Sequence, residues 1–269
     1  MLIAYRQVGS RLERLGPAAS LEEAIWVDLY RPQPEQAARV QAELGLEVPS
    51  LEDMEEIEIS NRFYREPGAD VMTVILPGAQ PDGAQVSGPA TFILTPDRLV
   101  TVRHHAPRPF EPAPGRAERS SMGCGTPPRL FLGLVEEIVA RQADLLEGAG
   151  RSLDAVAARV YAGAREALTP AELEEALRGT GREGEVVARV RLALLSVERM
   201  LSVFSLWTVE RSDGRPEGRG EGRHEGRGDA KSLRGLLKSL LRDINALEVH
   251  ADFLSGRVGL ATDTTLGLV

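Results

Sequence analysis

The sequence predicts an α+β fold that begins with an α/β/α layer domain over residues 1–128, built around a small mixed or antiparallel sheet. In that region short apolar runs alternate with segments of helical spacing, which is typical of such layers. From Arg129 only helical periodicity remains, which predicts helical hairpins over 129–210. A heptad pattern then predicts one long C-terminal helix over 231–269.

Strands and helices of the N-terminal domain can be placed in chain order. The run AIWVDL (24–29) predicts a buried strand, and EQAARVQAELGL (35–46) predicts a helix after two prolines. Ser50 is a candidate N-cap of the next helix, with Asp53 in its first turn. Further strands are predicted at DVMTVIL, ATFILT and RLVTVRHH, because turn-forming sequence separates them.

The helical region is predicted to contain several separate helices. Apolar residues recur at helical intervals after Arg129, with an interruption at EGAG (147–150). Another helix starts at TPAELEEAL, because Thr169 can cap it, Pro170 suits its first position and Glu172 completes a capping box. A further helix is predicted in EVVARVRLALLSVERMLSVFSLW.

The closing helix has a narrow apolar seam whose intervals alternate between four and three residues. Such a helix would be about 54 Å long. Because a seam of this kind packs against other helices along its whole length, we expect it to drive self-association. The seam consists of Leu233, Leu237, Leu240, Ile244, Leu247, Ala251, Leu254, Val258, Ala261, Thr265 and Leu268.

A glycine-rich segment over 211–230 separates the hairpins from the closing helix. It repeats the pattern E-G-R-x and is almost wholly polar, which predicts a disordered loop. Segments rich in arginine and glycine can bind RNA, but acidic residues match the arginines here in number. We therefore favour a solvated linker.

Composition excludes several classes of function. A formal net charge of −8 argues against a nucleic-acid partner and suits cations instead. The single cysteine, Cys124, excludes an internal disulfide and a thiolate cluster, which indicates a reducing compartment. We find no signal peptide at the N-terminus and no apolar run of the roughly 20 residues that a membrane span needs.

Several pieces of the chain, in their order and spacing, resemble the CorA magnesium and cobalt transport proteins. The N-terminal pieces are IWVDL, ARVQAELGLEVPS and LEDMEEIEISNRFYRE, and the C-terminal pieces are LRDINALEVHADFLSGRV and TDTTLGLV. The resemblance covers nearly all 269 residues. In that family the last helix is a stalk that continues into a first membrane span, and a second span follows a Gly-Met-Asn loop.

The resemblance implies a homopentameric ion transporter that binds divalent cations, Mg²⁺ first and Co²⁺ second, and that is not an enzyme. We expect this chain to be the cytoplasmic funnel at the inner face of the cell membrane. The membrane spans would be absent from it, either because the chain is cut off or because it naturally lacks a pore.

The resemblance also implies three metal-site residues. Asp243 corresponds to a carboxylate that binds regulatory Mg²⁺ between neighbouring subunits, and Asp82, after the VMTVIL strand, is its candidate partner. Asp263 lies near the end of the stalk, where a ring of carboxylates would concentrate cations. Alternatives stay open: a surface aspartate for Asp243, a turn residue for Asp82, and helix solubility for Asp263.

Other candidate residues are weaker. His104 and His105 have no acid or cysteine nearby at ligand spacing, and Cys124 has no identifiable base. The sequence contains no phosphate-binding glycine loop, no G-x-S-x-G and no H-E-x-x-H. The competing functions are a zinc-transporting relative of the same superfamily, a pore-less helical scaffold, and an enzyme of undetected type.

Overall fold

A computed structural model describes residues 1–56, 58, 62–118, 123–162, 168–213 and 223–267. Within them, strands and α-helices are numbered here in chain order. The strands are β1 (Leu2–Val8), β2 (Arg11–Arg14), β3 (Trp26–Tyr30), β4 (Phe63–Glu66), β5 (Ala69–Ala79), β6 (Gln85–Leu94) and β7 (Leu99–Arg103). The helices are α1 (Pro34–Leu44), α2 (Leu51–Glu55), α3 (Ala113–Arg116), α4 (Pro127–Ala162), α5 (Pro170–Asp213) and α6 (Arg223–Leu266).

The strands form one sheet in the order β2-β1-β3-β7-β6-β5-β4. β3 and β7 run parallel, with Trp26 beside Leu99, and the other neighbouring strands are antiparallel. The α+β prediction is confirmed, and the sheet is mixed. β3, β5, β6 and β7 lie at the four runs that the sequence predicts as strands.

The strands β1, β2 and β4 were not predicted from the sequence. β1 and β2 form a hairpin around Gly9, whose φ of 62° is a conformation that glycine adopts without strain. β1 also pairs with β3, which stacks the rings of Tyr5 and Trp26 at a centroid distance of 5.1 Å. β2 and β4 are short edge strands without fully buried residues, so their sequences lack the apolar run that predicts a strand.

Helices cover both faces of the sheet, as the α/β/α prediction requires. On one face, Val27 of β3 and Val40 of α1 belong to one buried cluster, to which α2 also contributes. On the other face, Phe92 of β6 meets Phe131 of α4 edge to face, with ring centroids 5.6 Å apart. Phe131 also contacts Phe204 of α5, at 4.9 Å. These aromatic contacts pack α4 against the sheet and α5 against α4.

The chain forms two compact units, and each of the three long helices has residues in both. The first unit comprises Met1–Ile138 with Ser196–Leu241, and the second comprises Val139–Leu195 with Arg242–Val269. The boundaries that we predicted follow the order of the chain. The contacts group by helix segment, and α4 and α5 contact the sheet through the parts that belong to the first unit. The predicted boundaries stay a prediction.

Glycines do not interrupt the long helices, so the predicted breaks at EGAG and before EVVARV are wrong. α4 and α5 run without interruption through both segments. In the second unit, a methyl group on Gly184 would lie 3.1 Å from Val258, which is unusually tight, whereas one on Gly150 would lie at an ordinary contact distance of 3.7 Å from Leu254. Tertiary packing thus overrides the low helix propensity of glycine.

Two predicted helix starts are confirmed in atomic detail. The Thr169 hydroxyl donates to Glu172 at 2.7 Å, and the Thr169 backbone N–H donates to the same carboxylate at 2.8 Å. Ser50 and Asp53 form the equivalent capping box at α2. These side chains satisfy backbone groups that a helix start leaves without partners.

The apolar seam of α6 packs within the chain itself. Ile244 and Ala251 are 0% exposed and Leu254 is 1% exposed, while Leu268 lies outside the described residues. Other segments of the same chain already bury most of the described seam residues, so the seam is not the exposed apolar face on which the expectation of self-association rests. Self-association itself stays a prediction.

The helices extend into the segment that we predicted as a loop. α5 continues to Asp213 and α6 already begins at Arg223, while residues 214–222 lie outside the described residues. α6 is 44 residues long, which corresponds to about 66 Å. Among the described residues, we find no helix with the length and hydropathy of a membrane span.

Candidate metal sites

The β5–β6 hairpin extends beyond both neighbouring strands and carries Asp82 at its tip. β4 pairs with β5 only as far as Met72, and β7 pairs with β6 only from Ala90 onward. β5 and β6 continue to pair with each other up to Ala79 and Gln85. We call residues 75–89 of this hairpin the arm.

Asp82 is exposed in the turn that closes the arm. Its Oδ1 accepts the backbone N–H of Ala84 at 3.0 Å, and Gly83 has a φ of 86°. The backbone N–H of Gln80 donates to the Ala84 carbonyl at 2.8 Å. Asp82 is therefore a turn residue, as one alternative proposed, and its second carboxylate oxygen has no partner in the described part of the chain.

Asp243 lies on α6, in the second unit, with its side chain exposed to solvent. Its neighbours in the seam, Leu240 and Ile244, are buried. Among the described residues, no ion pair or hydrogen bond to the Asp243 carboxylate is seen.

Asp263 lies further along α6, on a face that is exposed and partly apolar. Val249, Phe253 and Leu260 are 65%, 61% and 61% exposed and share this face, because they recur at helical spacing. Asp263 lies three residues after Leu260, on the same side of the helix, and is also exposed. Asp243 and Asp263 are about 30 Å apart along the helix, so they belong to separate candidate sites.

His104 and His105 follow β7 and lie in different environments. His105 is 2% exposed, and its Nε2–H donates to the Leu76 carbonyl at 2.9 Å. Burial lowers the pKa of His105 to about 4, and burial also lowers the pKa of the half-buried His104. The described residues bring together no group of three histidine, cysteine or carboxylate side chains around a possible metal position.

Cys124 is 1% exposed, and its thiol donates to the Ser10 carbonyl at 3.2 Å. Burial raises the pKa of this thiol, which keeps it protonated near neutral pH. A protonated, buried thiol is a poor nucleophile. The position thus favours a structural role for Cys124.

A buried ion pair in the sheet was not predicted from the sequence. Arg103 of β7 donates to Asp28 of β3 at 2.8 Å, and both residues are less than 10% exposed. Thr101 donates to the same carboxylate at 2.7 Å, and the Trp26 indole N–H donates to Thr101 at 3.1 Å. A charged residue within the apolar run AIWVDL was the signal that could have indicated this pair.

The model of the CorA-like Mg²⁺ transporter protein family matches residues 22–265. The chain belongs to this family. It is 28% identical over 272 aligned positions to the magnesium transport protein CorA of Salmonella typhimurium. That alignment covers 100% of this chain and 78% of the relative. The sequence-based identification of the family is confirmed.

Two solved structures share the fold of this chain. The soluble domain of CorA from Methanocaldococcus jannaschii superimposes with a TM-score of 0.64 at 16% identity, over 99% of this chain and 97% of that one. The ZntB cytoplasmic domain from Vibrio parahaemolyticus superimposes with a TM-score of 0.61 at 10% identity, over 98% and 96%. At these identities the superpositions establish the fold of this CorA-like chain and not its ion.

Proposed function

We propose that this chain is the cytoplasmic part of a CorA-type transporter of Mg²⁺ and Co²⁺, and that it senses Mg²⁺. It works as a homopentamer at the inner face of the cell membrane, and Mg²⁺ bound between its copies favours a closed state. Family membership over residues 22–265 and the magnesium transport function in the relative's name support this proposal. The role is transport, with no catalytic step.

The observation that carries the sensing proposal is the exposure of Asp243 and Asp82. Each carboxylate keeps at least one oxygen without a partner among the described residues. Mg²⁺ prefers oxygen ligands and retains several of its waters, so one or two carboxylates are enough to hold it. Two carboxylates from different copies therefore fit a hydrated Mg²⁺ ion.

The same carboxylates explain how ion loss would open the assembly. Without Mg²⁺, two carboxylates that face each other repel, because like charges close together in a partly screened setting cost up to a few kcal/mol. Raising Mg²⁺ from the dissociation constant to tenfold above it adds about 1 kcal/mol per site. Five equivalent sites then supply about 5 kcal/mol, close to the roughly 5.5 kcal/mol that inverts a 1:99 equilibrium.

Asp263 has a separate role in this proposal. A homopentamer that brings the exposed face of α6 to its axis would place five Asp263 carboxylates in a ring, which concentrates cations near the pore entrance. The exposed side chains of Val249, Phe253 and Leu260 support such an arrangement, because apolar groups on one face gain free energy when another copy covers them.

The alternative ion is Zn²⁺, which the shared fold of the ZntB cytoplasmic domain supports. The candidate ligands favour Mg²⁺, since Asp243 and Asp82 are carboxylates and zinc sites in proteins draw mainly on cysteine and histidine. A pore-less scaffold, the remaining alternative, would respond to neither ion.

Limited proteolysis of the purified chain distinguishes these functions. We expect millimolar Mg²⁺ and Co²⁺ to slow cleavage, because they hold the closed assembly. EDTA, which removes these ions, should restore the faster cleavage rate. Protection by micromolar Zn²⁺, with none by Mg²⁺, would favour the zinc transporter. The same cleavage rate with every ion would contradict the sensing proposal and favour the scaffold.

A further inference from the structure

The arm, residues 75–89, has few strand partners besides its own two strands. Beyond Met72 on one side and before Ala90 on the other, the neighbouring strands β4 and β7 no longer pair with it. A two-stranded hairpin alone is only marginally stable in water. Contacts from outside the hairpin must therefore hold the arm in place.

One contact of this kind comes from α5. The Ser196 hydroxyl accepts the backbone N–H of Ile75 at 3.1 Å and donates to the Ile75 carbonyl at 3.2 Å. This contact lies at the base of the arm, far in sequence from the tip at Asp82. It anchors the base and leaves the position of the tip to other contacts.

The second contact comes from the segment after β7, which crosses the face of the arm. Ala106 and Ala79 exchange two backbone hydrogen bonds, at 2.9 and 3.2 Å. Beside them, His105 is 2% exposed, and its Nε2–H donates to the Leu76 carbonyl at 2.9 Å. This hydrogen bond lies one residue beyond Ile75, and the imidazole reaches further along the arm, where it lies against Gly78 and Gly88.

Two glycines, one on each strand of the arm, make room for the imidazole. A methyl group on Gly78 would lie 2.7 Å from His105 Cδ2, and one on Gly88 would lie 2.8 Å from His105 Nδ1. Real Cβ atoms do not approach other atoms so closely. The ring therefore fits only because neither strand has a side chain at these positions.

We propose that His105 is a positioning residue for the Mg²⁺ site at Asp82: it locks the arm so that the carboxylate at the tip is held in one place. This inference rests on the proposed function. A ligand that is ordered before the ion arrives costs less conformational entropy on binding. Outer-shell groups that bond a metal ligand directly typically change metal affinity by about 10- to 100-fold. Because His105 acts through the backbone of the arm, we expect an effect at the lower end of this range.

The test compares His105→Ala with the wild-type chain in two measurements. Hydrogen exchange of the arm amides is expected to accelerate, and the Mg²⁺ concentration at half-maximal thermal shift is expected to rise about tenfold. His105→Gln keeps an N–H donor and should recover much of the Mg²⁺ response. Gly88→Ala should resemble His105→Ala, because the added methyl group displaces the ring.

Two controls separate positioning from a loss of stability. Val40→Ala destabilises the first unit away from the arm, because Val40 is fully buried in α1, and should leave the Mg²⁺ midpoint unchanged. Gly115→Ala adds a methyl group with no atom within 4 Å and should change neither measurement.

The outcomes for the inference and for the proposed function are distinct. If Asp82→Asn weakens the Mg²⁺ response while His105→Ala, folded and with a mobile arm, responds like the wild-type chain, the positioning role is wrong and the site stands. If Asp82→Asn responds like the wild-type chain, Asp82 is not a ligand, and both the site and the positioning role are overturned.

Discussion

Asp28 places a carboxylate inside the sheet, where it needs charged and polar partners. Its carboxylate is 4% exposed and accepts hydrogen bonds from Arg103 and Thr101. The Arg103 guanidinium in turn lies over the rings of Tyr30 and Phe110, at 4.7 and 4.9 Å. Removing one charge would leave the other buried without compensation.

Asp28→Asn is therefore expected to cost about 3–5 kcal/mol of unfolding free energy, since it breaks a buried ion pair. Urea unfolding measures this loss. Glu13→Gln is the matched control, because the partners of Glu13, Arg6 and Arg11, are exposed and such pairs contribute about 1 kcal/mol or less. Equal losses in the two variants would contradict the account of Asp28.

His105 makes stability depend on pH. Its pKa is about 4 in the folded chain and 6.5 in the unfolded chain, so the unfolded chain binds more protons between these values. The contribution of His105 to the free energy of unfolding is fully present well above pH 6.5 and is lost as the pH drops towards 4. Between pH 7 and pH 5 this group alone accounts for a loss of about 2 kcal/mol.

Urea unfolding at the two pH values, for the wild-type chain and His105→Gln, isolates this contribution. His104 and the carboxylates titrate in both proteins, so their effects cancel in the difference. The wild-type chain is expected to lose more stability than the variant. A pH dependence that is the same in both would show that the His105 ring is not held in its neutral form.

At the scale of elements, local signals predicted helix starts well and helix ends poorly. The capping boxes at Ser50 and Thr169 could be predicted because they involve residues close together in the chain. The continuity of α4 and α5 through their glycines could not, since it goes against local helix propensity and accompanies contacts with a distant helix, such as that of Gly184 with Val258. β2 and β4 were missed for a similar reason, because pairing with β1 and β5 defines them.

Two glycines of α5 offer a direct comparison. Gly181→Ala adds a methyl group in open space and should stabilise the chain by about 0.5–1 kcal/mol through helix propensity. Gly184→Ala has the same propensity gain, but its methyl group would lie 3.1 Å from Val258. Thermal unfolding should rank Gly181→Ala above Gly184→Ala. The reverse order would mean that α5 and α6 do not pack closely at Gly184.

At the scale of the whole molecule, the family could be predicted from the sequence, but the helices that cover the seam of α6 could not. The heptad seam of α6 predicted helix packing, and the structure places that packing inside one chain. Periodicity alone could not decide which helices would cover the seam. The metal-site residues Asp243, Asp82 and Asp263 came from the family resemblance, and their roles stay predictions. The exposed face with Phe253 is the better candidate for contact between copies.

Phe253→Glu is therefore expected to weaken self-association without unfolding the chain, because this side chain is 61% exposed in the single copy. Sedimentation velocity over a range of protein concentrations measures the change. Leu51→Glu, an exposed apolar residue on α2, is the control and should leave association unchanged. Leu240→Asp, in contrast, should unfold the chain, since Leu240 is 3% exposed. Unchanged association in Phe253→Glu would exclude this face as the contact between copies.

The most direct test of the sensing claim is the thermal shift of the assembled chain as a function of Mg²⁺ concentration. The wild-type chain and Asp144→Asn, which makes the same charge change at an exposed position of α4, should unfold at higher temperature as Mg²⁺ rises through the millimolar range. Asp243→Asn should lose most of this increase, because it removes a ligand of the ion. An equal Mg²⁺ response in Asp243→Asn and the wild-type chain would contradict the claim.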